Sequence, residues 1–132
     1  MFLKNKKYLF DGGSGQTLME MGLDTYGDLW SAKALIDKNL HHMVLKMHED
    51  FINARSEIIV TANFSVRRRL LKRYNLLDSL EFGIRSAGEI AQKASLKVIR
   101  KLLLLVLCLI RVILILLCNL RQKKLCLNIF SK

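Results

Sequence analysis

The hydrophobic pattern of this chain alternates between short continuous runs and longer segments with helical spacing. The runs at residues 7–10 and 57–62 predict two short buried strands, because each is continuous and is followed by glycine or polar residues. A run that is apolar on both faces suits a parallel sheet covered by helices. After each run, apolar residues recur with a helical period of about 3.6 residues. The order of strand, helices, strand, helices therefore predicts an α/β fold.

The helical segments have residues at their ends that favour helix termini. Gly22 is suited to end a helix over residues 14–21, and Asn39 is suited to cap a longer helix. Further helices are predicted over residues 32–37 and 66–74, and the longest begins at Asp78 or Ser79. The predicted buried faces are Leu40, Met43, Val44, Met47, Phe51 and Ala54 on the helix after Asn39, and Leu80, Ile84, Ala87, Ile90, Ala91 and Ala94 on the longest helix.

The composition changes sharply near residue 96. All 11 acidic residues and 14 of the 22 Lys and Arg residues precede position 97, whereas residues 97–132 contain eight basic residues and no acid. All three cysteines, Cys108, Cys118 and Cys126, lie in this tail. The break predicts two regions, residues 1–96 and residues 97–132. Since the basic tail has Phe130 as its one aromatic residue, it lacks the interleaved aromatics of a nucleic-acid groove, and no nucleic-acid partner is expected.

The tail contains a hydrophobic stretch, residues 102–118, that Arg111 alone interrupts. Leucine favours helix, so a basic, Leu-rich helical tail is predicted. Such a helix would be about 25 Å long, slightly shorter than the hydrocarbon core of a bilayer. One hypothesis is therefore a small, non-enzymatic, membrane-associated protein anchored by residues 102–118. A cytoplasmic location is the default, because the basic residues before position 8 leave no apolar signal core and the cysteines show no disulfide pattern.

Two segments follow the predicted strands, at the position where parallel sheets bind ligands. The first is residues 11–17, Asp-Gly-Gly-Ser-Gly-Gln-Thr, and the second is residues 61–65. The first segment has three interpretations: a glycine turn whose aspartate accepts backbone hydrogen bonds, a phosphate cradle of a nucleotide-binding module, or a carboxylate that holds a cationic group. Leu18 stands where a dinucleotide fingerprint needs its third glycine, which counts against the cradle.

Two other groups suggest chemistry less strongly. His41, His42 and His48 are expected to be solvated helix residues, since His41 and His48 lie two turns apart and do not readily share one metal ion. Residues 67–69 are three consecutive arginines, followed by Lys72 and Arg73. This cluster is interpreted as a solvated helix face, with phosphate binding as the alternative. No catalytic or metal-binding residue can be assigned from these patterns.

Several segments together resemble the homocysteine S-methyltransferases. They are residues 8–18 (Tyr-Leu-Phe-Asp-Gly-Gly-Ser-Gly-Gln-Thr-Leu), 22–24, 29–35, 48–52 and 58–65 (Ile-Ile-Val-Thr-Ala-Asn-Phe-Ser), in the order of that family. The resemblance covers about residues 7–96. Arg55 departs from it, because the family usually has glycine before the second strand.

The resemblance implies that residues 1–96 are the opening part of a homocysteine-binding (β/α)8 TIM barrel, its first two βα units. It implies methyl transfer to the thiol of homocysteine, which yields methionine, from a donor such as S-methylmethionine, S-adenosylmethionine or betaine. By the same resemblance Asp11 would bind the amino group of homocysteine, with Gly12 beside it, and Thr61, Asn63 and Phe64 would line the site.

The family also uses zinc, which three cysteines bind and which converts a thiol into a nucleophilic thiolate. The cysteines of this chain match none of those positions, so no metal ligand is assigned and no zinc is expected to bind. We therefore expect a truncated chain that is inactive alone. Our hypothesis for residues 97–132 is an extension outside the family, read out of frame or random in origin.

Overall fold

A short sheet with helices packed against it organises this chain. The computed structural model describes residues 7–24, 27–97, 103–108 and 112–116. Its helices are α1 (Ser14–Glu20), α2 (Ser31–Ile36), α3 (His41–Asn53), α4 (Arg68–Arg73) and α5 (Leu80–Leu96), and its strands are β1 (Ile58–Val60), β2 (Leu103–Cys108) and β3 (Val112–Leu116). Single 3-10 turns lie at Gly27–Leu29, Lys38–Leu40, Asn63–Ser65 and Leu77–Ser79.

The first predicted strand is reduced to one bridge, in which Phe10 pairs in parallel with Ile58. The backbone around it still follows β1, because the N–H of Glu57 donates to the carbonyl of Leu9 over 2.8 Å and the N–H of Asp11 donates to the carbonyl of Ile58 over 3.0 Å. The glycines after Asp11 leave the strand direction at once, which keeps the pairing this short. The two predicted strand segments thus lie side by side and parallel, as expected.

The tail corrects the sequence-based prediction of a helix. Residues Leu103–Cys108 form β2, which pairs in parallel with β1 in the register Ile58↔Leu103, and β3 pairs with β2 in antiparallel fashion. These segments contain Val106, Val112, Ile113 and Ile115, whose branched side chains favour strands, and the free edge of β1 offers backbone partners. The rest of the proposed anchor, 102, 109–111 and 117–118, lies outside the described residues.

The α/β class is confirmed, with more helix than strand. In the ranges that the structure describes, the three strands form an open sheet in the order β1-β2-β3 and close no barrel. Over those same ranges, none of the helices has both the length and the hydrophobicity needed to cross a bilayer.

The start of α3 differs from the prediction. Asn39 does not cap it: the backbone N–H of Asn39 instead donates to the carboxylate of Asp37 over 2.9 Å, which caps a 3-10 turn. The helix begins only at His41, after this turn. Asp37, two residues before Asn39, therefore caps this stretch of backbone as a 3-10 turn, and Asn39 does not cap α3.

The core lies between the helices and the sheet. Helix α5 presents small residues, Ala87, Ala91 and Ala94, to this core, and helices α2 and α3 pack against it. Ile58 and Ile59 of β1 are fully buried beneath them. The carboxyl end of β1 thereby lies beside the loop that follows Phe10.

Candidate functional site

A cavity of about 310 Å³ opens where the first bridge and β1 both end. It lies at the carboxyl ends of parallel segments, the usual ligand position in such sheets. Its walls come from the Asp11 loop, from the start of α2 and from the turn after β1. The lining residues are Phe10, Asp11, Gly12, Ser14, Gly15, Trp30, Ser31, Val60, Thr61, Ala62, Phe64 and Ser65.

Asp11 lies in the wall of this cavity with a fixed orientation. Its Oδ2 accepts a hydrogen bond from the backbone N–H of Val60 over 2.9 Å. Burial raises the pKa of the Asp11 carboxyl to about 6, against the opposing effect of the Val60 hydrogen bond. The carboxylate is therefore ionised at neutral pH but poorly solvated, a state that a cationic ligand group would stabilise.

Gly12 allows the Asp11 loop to lie directly on helix α3. A Cβ atom at Gly12 would stand 2.8 Å from Cε1 of Phe51, which is closer than real Cβ contacts. The ring of Phe51 thus supports the backbone next to Asp11 from below. Any side chain at position 12 would move either the loop or the ring.

Of the expected site residues in the segment 61–65, two line the cavity and one does not. Thr61 and Phe64 line it, while Asn63 is buried and does not. The hydroxyl of Thr61 donates to Oδ1 of Asn63 over 2.8 Å, so Asn63 orients Thr61 from behind the wall. Four of the five expected site residues, Asp11, Gly12, Thr61 and Phe64, therefore meet at one cavity.

Trp30 and Ser31 line the cavity as well, although no role was predicted for them from the sequence. The Trp30 side chain is 49% exposed, and its backbone has a φ of 44°, a region that non-glycine residues seldom adopt. Its ring lies over Gly15, where a Cβ would be 3.0 Å from Cε3 of Trp30. The hydroxyl of Ser31 donates to the carbonyl of Ala62 over 3.0 Å and so ties α2 to the end of β1.

A second cavity of about 530 Å³ adjoins the first and shares Trp30, Phe64 and Ser65 with it. The remaining walls are Asp28, Leu70 and the arginines 67, 69 and 73. The guanidinium of Arg67 lies over the ring of Phe64, 5.2 Å from its centroid, and Arg73 pairs with Asp28 at 2.5 Å. The arginine cluster is thus turned in part toward a cavity and is not wholly a solvated face.

The family model described as homocysteine S-methyltransferase matches residues 8–116. The chain belongs to this family. The match runs through β2 and β3, beyond the boundary predicted at residue 96. No solved structure matches the chain.

Curated relatives carry names that agree with this family. "Homocysteine S-methyltransferase 3" of Arabidopsis thaliana is 41% identical over 54 residues, which are 41% of this chain and 15% of the relative. "Selenocysteine methyltransferase" of Astragalus bisulcatus is 32% identical over 84 residues, 63% of this chain and 24% of the relative. "Homocysteine S-methyltransferase 3" of Zea mays is 36% identical over 58 residues, 44% of this chain and 17% of the relative. The chain thus matches less than a quarter of the length of these relatives.

The histidines of this chain are only partly the solvated residues that were expected. His48 is fully buried, and neither of its ring nitrogens has a hydrogen-bond partner among the described residues. Burial lowers the pKa of His48 to about 4. His42 is exposed as predicted, while the Nε2 of His41 lies 3.0 Å from the carbonyl oxygen of Leu35. The period of α3 places His48 next to Met47 on the buried side, a signal that its polar character obscured.

The described ranges contain no group of three His, Cys, Asp or Glu residues that could hold a metal ion. Cys108 is the last residue of β2, and Cys118 and Cys126 lie outside the described residues. The donors present in the described part of the chain therefore do not fit the zinc site that the resemblance implies.

Proposed function

We propose that this chain supplies the part of a homocysteine S-methyltransferase that binds homocysteine, with Asp11 as the partner of the substrate ammonium group. The observation that carries the proposal is the Asp11 carboxylate, partly buried in the cavity wall and fixed by the backbone N–H of Val60. The reaction class is transfer of a methyl group to a thiol, as in the family to which the chain belongs.

The chemistry of the cavity favours a small ligand with an ammonium group and an apolar arm. Burial removes water from the Asp11 carboxylate, and a bound ammonium group would stabilise its charge in place of that water. The ion pair is therefore stronger here than at an exposed carboxylate. Gly12 leaves the backbone open to close approach on the same side. Thr61 and the exposed ring of Phe64 then bound the space that the substrate side chain would occupy.

The architecture proposed for the family member is a (β/α)8 barrel that opens with the two βα units of residues 7–96. The parallel pairing of Phe10 with Ile58, with α1, α2 and α3 between these two residues, supports this proposal. The described residues supply substrate binding and orientation, and no step of the proposal passes through zinc. We therefore expect the 132-residue chain to bind homocysteine without transferring a methyl group to it.

The test is a binding titration that follows the fluorescence of Trp30, which lines the cavity and is the one tryptophan of the sequence. Homocysteine should bind the 132-residue chain at least tenfold more tightly than 4-mercaptobutyrate, which lacks the amino group. The difference corresponds to about 1.4 kcal/mol for the charged hydrogen bond. In Asp11→Asn the two ligands should bind equally.

Asp78→Asn is the matched control, since Asp78 is an exposed carboxylate that lines neither cavity. It should leave the preference for homocysteine unchanged. Equal binding of homocysteine and 4-mercaptobutyrate by the unchanged chain would contradict the role of Asp11.

A further inference from the structure

The larger of the two cavities carries a charge that the proposed function does not explain. Three arginines, Arg67, Arg69 and Arg73, line it together with one carboxylate, that of Asp28. Arg73 pairs with Asp28, so this carboxylate is already engaged. Among the described residues neither Arg67 nor Arg69 has an ion-pair partner, which leaves two positive charges at the wall of a concave space.

Arg67 is held in an orientation suited to bind an anion. Its guanidinium lies over the ring of Phe64, 5.2 Å from the centroid. When a guanidinium stacks on an aromatic ring, its N–H groups point outward in the plane of the guanidinium, as a planar fork, and stay available to a ligand. Such a fork matches the two oxygens of a carboxylate or a phosphate. Stacking therefore reduces the rotamer freedom that Arg67 would lose when it binds an anion.

The basic residues of helix α4 lie on two sides of the helix, and only one of these sides lines the cavity. Arg69 and Arg73 are four residues apart, on one side of the helix, and both line the cavity. Arg68 and Lys72, on the same helix, do not line it.

We propose that the cavity lined by Arg67 and Arg69 binds an oxyanion group, a carboxylate or a phosphate, of a second ligand. The body of this ligand extends over Trp30 and Phe64 toward the cavity of Asp11, because these two aromatic residues line both spaces. The identification of this ligand as a methyl donor rests on the proposed function, whereas the anion site itself does not.

Three probes that differ only in their anion test the proposal: choline, betaine and phosphorylcholine. All three carry a trimethylammonium group, which packs on aromatic faces. They carry, respectively, no anionic group, a carboxylate and a phosphate. Quenching or enhancement of Trp30 fluorescence reports binding at the shared wall of the two cavities. Betaine or phosphorylcholine should bind about tenfold more tightly than choline, and the stronger of the two identifies the anion.

Variants then distinguish binding at Arg67 and Arg69 from attraction by the overall positive charge of the chain. The double variant Arg67→Gln/Arg69→Gln should bind choline at least as well as the unchanged chain and should lose the preference for the anionic probe. Arg68→Gln removes one nearby charge that does not line the cavity, and it should keep the preference. Arg67 and Arg69, the two residues that the double variant changes, are both exposed, so the fold should survive and circular dichroism can verify it.

Equal binding of the three probes would overturn the proposal, as would the absence of any binding. An equal loss of preference in Arg68→Gln and in the double variant would also overturn it, since bulk charge would then explain the effect. The experiment is independent of homocysteine binding. If Asp11→Asn fails to affect homocysteine while the anion preference persists, the proposed function fails and the oxyanion site stands.

Discussion

The carboxylate of Asp11 accepts a hydrogen bond from the backbone N–H of Val60 across two parallel segments of the chain, over 2.9 Å. In the reverse direction along the same pair of segments, the N–H of Asp11 donates to the carbonyl of Ile58 over 3.0 Å. The side chain thus extends the pairing beyond the last backbone bridge. One residue both extends the pairing at the carboxyl end of β1 and places a charge there.

The first prediction concerns stability and the pKa of Asp11. Burial raises this pKa from 3.8 to about 6, so the folded chain binds more protons than the unfolded chain between these pH values. The contribution of Asp11 to the free energy of unfolding should therefore fall as pH rises from about 4 to about 6. Because His48 contributes a rise over the same interval, the quantity to compare is the difference in melting temperature between Asp11→Asn and the unchanged chain, which should grow in favour of Asp11→Asn as pH rises from about 4 to about 6. A difference that stays constant over this interval would contradict the assignment, and Asp78→Asn is the control.

The second prediction concerns His48, a buried residue whose effect on the pH dependence of stability is opposite to that of Asp11. Its pKa falls from 6.5 to about 4, so the unfolded chain binds the proton first, and stability should decrease as pH falls through this interval. The loss is up to about 3 kcal/mol at pH 4, from 1.36 kcal/mol for each pH unit. His48→Leu should abolish it, and His42→Gln, at an exposed position, should not. Urea unfolding at pH 4 and pH 7 measures the difference.

The third prediction concerns homocysteine and the protonation of Asp11. Only the ionised carboxylate pairs with the ammonium group, so affinity should rise about tenfold per pH unit below pH 6 and become constant above it. The Trp30 titration from pH 4.5 to pH 7.5 measures this. A ligand that binds independently of pH over this range would not be paired with Asp11.

The sequence predicted the fold where local pattern and tertiary environment agree. Positions 44 and 47 of α3 and positions 87, 91 and 94 of α5 were expected to be buried and are. The tail segments 103–108 and 112–116 were wrongly predicted to be helical, because an apolar run of this kind suits either state and the choice depends on the distant edge of β1. No periodicity reveals such a partner.

The candidate site was likewise only partly predictable. The Asp11 loop and the Thr61–Ser65 segment could be brought together, because both follow parallel strands. Trp30 was not assigned, since it reaches the cavity through an unusual backbone conformation and through the space above Gly15. The second cavity depends on how α4 turns its arginines, which a run of three consecutive arginines does not indicate.

The fourth prediction tests the contact between Gly12 and Phe51. Gly12→Ala places a Cβ at 2.8 Å from Cε1 of Phe51 and should lower the free energy of unfolding by about 1–3 kcal/mol, the usual cost of overpacking. Gly13→Ala is the matched control, because its Cβ would meet only Cβ of Gln16, at 3.9 Å. In a Phe51→Leu background, Gly12→Ala should cost less. Equal costs in both backgrounds would mean that the ring does not support the loop.

The fifth prediction concerns the tail as a structural part of the sheet. Strand β2 pairs with β1 along Ile58–Val60, so a variant that ends at Lys97 would leave one edge of β1 without its partner. An unpaired strand edge loses backbone hydrogen bonds and offers a template for association with other chains. This variant should unfold at a lower urea concentration than the full chain and should associate as its concentration rises.

A variant that ends at Leu116 is the matched control for this truncation. It keeps both β2 and β3, whose register joins Leu104 to Leu116 and Cys108 to Val112. It should unfold like the full chain, whereas the variant ending at Lys97 should not. Urea unfolding and sedimentation velocity measure stability and association separately. If all three chains unfold at one urea concentration and remain monomeric, β2 contributes nothing to the sheet, and the backbone of residues 7–97 is sufficient for the fold.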